Sequence, residues 1–539
     1  MPDDVRSPRD PVPYVRFPQA QGEGTMHAQV VVVGGGPVGM LVAAELAGYG
    51  IDTVVLEERS AVSERPKATT LHARAVQCLA RRGLLPEAGG PADPRGAAAG
   101  AFHFAGLPGL VITAPESEPT PILKYPQAQL EHLFEAQARA RGARVLRRHR
   151  VTGIRQQPHE VRLAVEGPAG PVSCTARYLV AADGARGTVR ELAGIPSDVH
   201  PATVSALMGL VRLADPHSLE PGWHRTARGH LVAKRGPDGA THIRTVNCTA
   251  PHGNRHLPLS LAELREEVSW IAGREIAMDA PRWLSRFSDF ARLARTFREQ
   301  RILLAGDAAH VHFPIGGQGL STGLLDALNL GWKLAFAVLG RAGAGLLDTY
   351  DLERRPAAQR VIDNTRAQLA LMRPVPETDA LGTVFEGLLA ADRDTGYLRG
   401  LISAQDTVYP AHTARPSAWE GRFLRNRVLT TACGGTDVIE LLRDGRPLLL
   451  LLGEAGGRYR EEARDWAGTV RLLDVMPTPD LPYDALLVRP DGYIAWAPDG
   501  GPLSDALATY LGEPARTGPA ERAVAMAPRT AGFPTPHPG

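Results

Sequence analysis

The chain is poor in lysine. Of its 60 basic residues only Lys67, Lys124, Lys234 and Lys333 are lysines, and the rest are arginines. Set against 58 acidic residues they leave a formal net charge of +2, so composition argues for neither a nucleic acid nor an acidic partner. Cysteine is scarce as well. Cys78, Cys174, Cys248 and Cys433 are scattered and form no CxxC. That excludes a thiol redox centre of that type and a zinc knuckle, implies no metal site, and fits a reducing cytoplasm. No apolar run reaches the length of a membrane span. Residues 1–25 carry several prolines and both charge signs but no apolar signal-peptide core; they read as a disordered tail, with Met26 as a candidate start. There are no internal repeats. The abundance of Ala, Arg, Gly and Pro suggests a GC-rich genome. At 539 residues, 44% apolar and 22% charged, the chain is of ordinary globular composition and too long for one core, so two or three domains are expected.

What is present is concentrated in three segments. The most informative is RILLAGDAAHVHFPIGGQGLSTGLLDALNLGWKLA, residues 301–335. An apolar strand runs into Gly306-Asp307, then a Pro- and Gly-rich turn, then a helical pattern. Asp307 stands where a carboxylate can bind a ribityl hydroxyl. The turn Pro314-Ile315-Gly316-Gly317-Gln318-Gly319 offers bare backbone N–H groups at a helix start, where partial positive charge collects. The second segment is Gly34-x-Gly36-Pro37-Val38-Gly39, between a buried strand at residues 29–33 and a helix ending near Gly50. Gly34 permits the tight turn, Gly36 lets backbone approach a pyrophosphate, and Gly39 allows close helix–strand packing. A ribose-binding acid is expected about 20 residues on; Glu57 ends the next strand there, and Glu58 competes for the role. The third is the strand at residues 178–182 followed by Asp183-Gly184. By itself it reads equally as a plain turn, but downstream of a dinucleotide fingerprint it becomes a second cofactor wall. Together the three point to a flavin enzyme.

The rest of the pattern supplies the layout. A helix is expected at 126–141 and short strands at 144–146, 153–155 and 161–165. Strand-like alternation at 206–213 and 230–246, then a helix at 259–272, read as an inserted α+β region. Helices continue to about Leu339 and over 346–372. A third unit carries strands at 447–452, 470–474, 485–489 and 493–496.

These segments together resemble the class A flavoprotein aromatic hydroxylases, the single-component monooxygenases related to 4-hydroxybenzoate and phenol hydroxylase. The C-terminal unit, ending in LLVRPDGYIAW (residues 486–496), resembles the thioredoxin-like domain of the members that tailor aromatic polyketides. The resemblance implies an α/β fold: a discontinuous Rossmann-like FAD-binding domain (residues 26–197 and 297–372), an inserted α+β substrate domain (198–296), a connecting helical segment (373–412) and a thioredoxin-like domain (413–539) in a structural or dimer-forming role. It implies that Gly34, Gly36, Pro37, Val38, Gly39 and Glu57 hold the ADP half of FAD. Lys67 falls where Arg is usual, keeping the charge without the planar fork. Gln127 matches a glutamine near the ribityl chain, although a solvated residue at a helix start would look the same. Asp183 matches a residue linked to FAD and NADPH handling, with Gly187 where Ser is usual. Asp307 should bind ribitol. Pro314 to Gly319, with Gly317 among them, should lie under the isoalloxazine, where helix-start N–H groups should stabilise the negative charge of reduced flavin; Leu320 and Ser321 (the last in place of the common Asn) are further cofactor-binding positions. No catalytic residue is assigned; Pro314 and Gly317 stand nearest the chemistry. His310 reads as structural and His312 has no assigned partner.

The implied activity is NADPH- or NADH-dependent hydroxylation of a polycyclic aromatic, polyketide-type substrate by O2, through a flavin C4a-hydroperoxide shielded from water. No second nicotinamide-binding βαβ unit is evident, in keeping with transient NADPH binding. The alternative is Baeyer–Villiger or other oxidative ring-rearranging chemistry on a polyketide ketone. A flavin halogenase should carry WxWxIP, which is missing; a non-catalytic FAD-binding protein is the remaining class. The expected species is a cytoplasmic monomer or homodimer without nucleic-acid or membrane partners.

Overall fold

The computed structural model describes residues 25–65, 67–85, 99–248 and 257–514. The expected N-terminal tail up to residue 24, Pro66 and the last residues of the chain lie outside them.

The first strand, Thr25–Val33, is the centre of a mixed eight-stranded sheet. Thr53–Glu57 pairs parallel on one side and Gly170–Ala181 parallel on the other; Arg144–Arg147 and Ile302–Leu304 extend the parallel run outward. Val30, Val31 and Val32 are fully buried, as a parallel strand covered on both faces requires. The strand leading to Asp183 is longer than expected. It starts at Gly170 and pairs antiparallel with Val161–Gly167, which pairs with Arg150–Gln156. Those residues alternate, because one face of this ribbon is open, so their strand pattern is weaker than that of the buried end.

The helix Pro37–Gly48 lies between Gln127–Ala140 and Gly319–Val338. The close crossing depends on Gly331, where a β-carbon would come 2.7 Å from Cβ of Glu45. Glu45 is buried and receives Arg82 Nε at 3.0 Å. The main core runs without interruption from this layer to the C-terminal unit.

In chain order, between the adjacent strands Gly170–Ala181 and Ile302–Leu304, comes a five-stranded antiparallel sheet, ordered Gly222–Thr226, Gly229–Arg235, Thr241–Asn247, Ser205–Leu213, Met278–Ser288. One face packs on the helix Leu261–Ala272 through Leu207, Val211, Ile243 and Leu264. The Ser260 side chain accepts from Glu263 N and Gly273 closes the helix at φ 70°, an N-cap and a left-handed stop. The opposite face carries Ala206, Val246 and Phe287 toward Phe313 and Ile315. The span expected as one alternating run, 230–246, is a hairpin broken at residues 236–240. Another hairpin, Ala99–Phe104 with Leu107–Thr113, had no counterpart among the expected elements.

The C-terminal unit is a four-stranded sheet ordered Arg471–Val475, Leu448–Leu452, Ala485–Val488, Ile494–Trp496, parallel in the first pair and antiparallel in the others. All five leucines at 448–452 are buried, each burial stabilising by about 1.5–3 kcal/mol before entropy is counted. Beside it a charged cluster is buried. Arg489 donates to both Glu353 oxygens at 2.7 and 2.8 Å and to Asp491 at 2.6 Å, and Lys333 donates to Glu353 at 2.8 Å. Asp491 also receives Asn329 and Trp332 from the helix Gly319–Val338. Burial alone would raise the Glu353 pKa, yet Arg489 and Lys333 outweigh it and hold it well below the usual range. No helix among the described residues is long and apolar enough to cross a membrane.

Candidate functional site

The three segments singled out in the sequence meet at the C-terminal ends of the parallel strands, where open α/β sheets bind ligands. Gly34 adopts φ 107°, and a β-carbon there would fall 2.3 Å from the Ala182 carbonyl oxygen, just before Asp183. At Gly39 a β-carbon would lie 2.0 Å from the Gly34 oxygen, and at Gly306 one would lie 3.0 Å from Val38. Gly36 differs from all of these: nothing lies within 4 Å of the β-carbon position. Three glycines are therefore needed by the fold, while Gly36 faces open space at the start of the helix Pro37–Gly48. Helix-start N–H groups and that space suit a pyrophosphate.

Glu57 ends its strand with both oxygens engaged: Oε2 accepts Gly35 N at 2.5 Å and Oε1 accepts Arg59 N at 2.8 Å. A carboxylate keeps further lone pairs for a ribose hydroxyl. Glu58 is exposed beside it. Lys67 is exposed, but its charge reaches Asp307. Gln127 donates to Glu131 at 2.9 Å at the start of its helix.

Asp183 Oδ2 accepts Val189 N at 3.0 Å, while the buried Oδ1 has no partner. Burial raises its pKa, and the Val189 N–H opposes this. Asp307 faces the cleft and is exposed through it. The protein that closes around its other sides raises its pKa, opposed by His310, Lys67 and Arg292. An orphaned carboxylate oxygen, a cleft-facing carboxylate and the space at Gly36 fit a dinucleotide that carries hydroxyl donors, so the residues present suit FAD.

The turn after Phe313 is held from behind. Gly316 and Gly317 take φ 74° and 62° in a short 3-10 turn, and the helix Gly319–Val338 begins without a side-chain cap, so its first N–H groups lack intrahelical acceptors. Pro314 is exposed, while Leu320 packs on the main core. His72 Nε2 donates to the Gly316 carbonyl at 2.8 Å, and Ser321 Oγ accepts His72 N at 3.0 Å. Gln318 donates to the Leu401 and Ile402 carbonyls and accepts from Asn364. Burial pushes the His72 pKa down to about 4, although the Gly316 carbonyl pulls the other way, so the ring is neutral at neutral pH. The clamp of His72, Gln318 and Asn364 was not read from the sequence: a lone histidine before a helix and two amides within helical patterns carry no local signal. The Ser321 substitution acquires a structural partner in His72.

His310 lies under the turn, its Nε2 at 2.7 Å from Asp326 Oδ2, and Arg354 holds the other oxygen of Asp326 at 2.8 Å. His312 donates through Nδ1 to the Phe313 carbonyl at 2.9 Å, its Nε2 is buried without a partner, and burial takes its pKa down to about 4. Above the turn an apolar cluster joins Phe313 and Ile315 to Phe104, Ala206, Val246 and Met372. Phe287 and Phe313 approach at 5.4 Å. The turn thus has the cleft on one side and an aromatic-lined face on the other. Among the described residues no group of three His, Cys, Asp or Glu could hold a metal ion.

Comparison with known proteins agrees with this geometry. Residues 27–365 match the family described as FAD binding domain, and residues 417–514 the one described as aromatic-ring hydroxylase, C-terminal. The chain is 36% identical over 508 residues to 12-dehydrotetracycline 5-monooxygenase/anhydrotetracycline 6-monooxygenase of Streptomyces rimosus subsp. rimosus, covering 91% of this chain and 100% of that protein. It is 35% identical over 506 residues to rifampicin monooxygenase of Rhodococcus hoagii, covering 91% and 99%. A solved structure of an anhydrotetracycline hydroxylase from Streptomyces rimosus aligns with a TM-score of 0.81 at 35% identity, over 91% of this chain and 100% of that one.

Proposed function

Because this chain belongs to the family of FAD-binding aromatic-ring hydroxylases and is a flavoprotein monooxygenase, we propose that it hydroxylates a polycyclic aromatic substrate of the polyketide type, with NADPH or NADH as reductant and O2 as oxidant. The observation that carries this reading is the position of the turn 313–319 between the dinucleotide cleft and the aromatic-lined sheet face. FAD, when bound, supplies reduction by the nicotinamide and activation of oxygen.

The residues have separable tasks. Gly36 admits the pyrophosphate, Glu57 and Asp307 accept hydroxyl hydrogens, and Gln127, Lys67 and Asp183 complete the walls. The N–H groups at Gly319, Leu320 and Ser321 oppose negative charge without a cationic side chain, and His72 keeps the Gly316 carbonyl turned from them. Phe287, Phe313 and Ile315 exclude water from the oxygen-transfer space. His310, paired to Asp326, acts through position only. In this reading residues 26–197 and 297–372 form the cofactor domain and 198–296 the substrate domain, with 373–412 connecting. The unit from 413, with one parallel pair followed by two antiparallel strands, is thioredoxin-like; without CxxC it serves structure or dimer formation. The protein is a cytoplasmic monomer or homodimer.

The test is NAD(P)H oxidation by the purified holoenzyme with hydroxylated anthraquinones and tetracyclic polyketides, with 18O2 and mass spectrometry of the product. One labelled oxygen on an intact ring supports the reading; a labelled lactone or ring-opened product replaces it with Baeyer–Villiger chemistry. Absence of FAD, or no substrate-stimulated oxidation with any aromatic, overturns it.

A further inference from the structure

Resting on that reading of an aromatic substrate, we propose that the substrate binds as an anion, with a planar pair of acidic oxygens (a carboxylate or a 1,3-dicarbonyl enolate) held by Arg244.

Arg244 stands in the middle strand of the five-stranded sheet, with Met208 and Val232 as its cross-strand neighbours. Side chains alternate along a strand. Ile243 is buried on the helix-covered face, and Val246, two residues beyond Arg244, belongs to the cluster that includes Phe313 and Ile315. Arg244 therefore faces the turn. It is half-buried, and among the described residues it forms no hydrogen bond or ion pair. Other buried arginines are matched by carboxylates: Arg81 by Glu118, Arg354 by Asp326, Arg489 by Glu353. Keeping a guanidinium partly out of water without a partner is costly, and a bound anion would offset that cost.

The surroundings favour the same charge. His103 and His242 flank the position, and both pKa values are pushed down to about 4: His103 by burial, then Lys124, then Arg244, and His242 by burial, then Arg244, then Lys234. Both rings stay neutral at neutral pH, and no carboxylate among the described residues bears on either of them or on Arg244. Flat surfaces for a fused ring lie next to these charges. His103 stacks on Phe102 at 4.8 Å and His242 on Trp283 at 6.3 Å. Phe102 in turn contacts His72, which holds the Gly316 carbonyl, so the cationic face and the turn are two ring contacts apart. A guanidinium fork matches paired acidic oxygens better than a single phenol.

The test uses the FAD-loaded protein and two probe pairs: anthraquinone-2-carboxylate with its carboxamide, and 2-acetyl-1,3-indanedione with its neutral enol methyl ether. Binding is read from the perturbed flavin absorbance. The wild type should bind at least one ionised probe about 10- to 100-fold more tightly than its neutral partner, and the pair that shows this identifies the acidic group. Arg244→Met should abolish the preference while leaving the neutral probes within about twofold, and Arg244→Lys should restore part of it. Equal affinities in both pairs, no binding of any probe, or a preference surviving in Arg244→Met would overturn the proposal. If Arg244→Met fails to fold, Arg244→Gln and Arg244→Lys give the same comparison. Failure of the catalytic reading is distinguishable: the anion preference would persist without substrate-stimulated NAD(P)H oxidation.

Discussion

The backbone of Gly187 lies directly beneath the carboxylate of Asp183: a β-carbon at position 187 would come 2.2 Å from Asp183 Cγ. With glycine at position 187, Asp183 occupies the space that a side chain there would fill, while accepting from Val189 N. Gly187→Ser should push the carboxylate off that N–H. The expected outcome is a loss of about 1–2 kcal/mol from the broken hydrogen bond, with a raised KM for NAD(P)H. Thermal unfolding of the holoenzyme and steady-state kinetics check both; an unchanged Tm and KM would show that the carboxylate has room to spare.

Gly36 and Gly39 should separate cofactor binding from folding. Gly36 has φ −74°, which alanine adopts freely, and open space at the β-carbon position. Gly36→Ala should fold and purify with FAD occupancy reduced by about tenfold or more. Gly39→Ala, whose β-carbon would meet the Gly34 oxygen at 2.0 Å, should lose about 1–3 kcal/mol of stability even without cofactor. Flavin absorbance and urea unfolding of the apoprotein distinguish the two.

Asp307 makes opposite demands on the empty and filled site. Its pKa is raised, mainly by the protein around it. A carboxyl raised in the folded state contributes stability at low pH that is lost as pH rises through its folded pKa. Asp307→Asn should therefore raise the Tm of the apoprotein at pH 7 while lowering its FAD content. A variant with full FAD occupancy would remove Asp307 from the cofactor site.

Four histidines, His72, His103, His242 and His312, are pushed down to about 4 chiefly by burial. A depressed folded pKa contributes stability that is present above the unfolded value near 6.5 and lost as pH falls toward 4. Unfolding free energy should fall steeply between pH 6.5 and 4, and His72→Gln should flatten part of that slope. Urea titrations at intervals across the range measure it, and an unaltered slope in the variant would show that His72 takes no share.

Removing Arg489 would leave Glu353 and Asp491 buried without their shared cation. Arg489→Met should cost about 3–5 kcal/mol and separate unfolding of the C-terminal unit from that of the cofactor domain. Calorimetry would show two transitions in place of one, against a single lowered transition if the leucine-rich sheet alone joins them.

The buried parallel strands were the most legible part of the fold, because Val30–Val33 and Ile302–Leu304 are apolar throughout and run into Gly34 and into Ala305-Gly306-Asp307. The helix before Arg141 and the one after Gln318 followed from periodicity and the turns that precede them. What escaped was set by distance along the chain rather than by pattern. Phe102 and His103 lie on a hairpin whose strands are partly exposed, and their aromatic neighbours Trp223 and His72 come from other elements. The glycines and acids of the cleft could be found because local spacing dictates them. The His72–Gly316 hydrogen bond joins residues 244 positions apart, which no local window contains. The role of Ser321 is of the same kind: its hydroxyl accepts the His72 N–H from 249 positions away.

The order of the central sheet also sets a timetable. The strand ending at Val33 leaves the ribosome before its neighbours: it is bordered by Gly170–Ala181, which in turn waits for Ile302–Leu304. At about 5–20 residues per second, the last wall of the cleft follows the first by roughly 15 s to a minute. During synthesis the open edge of the half-built sheet is exposed to neighbouring nascent chains. Cofactor capture must come after the helix Gly319–Val338 has emerged, so the flavin meets a cleft whose other walls have already been made.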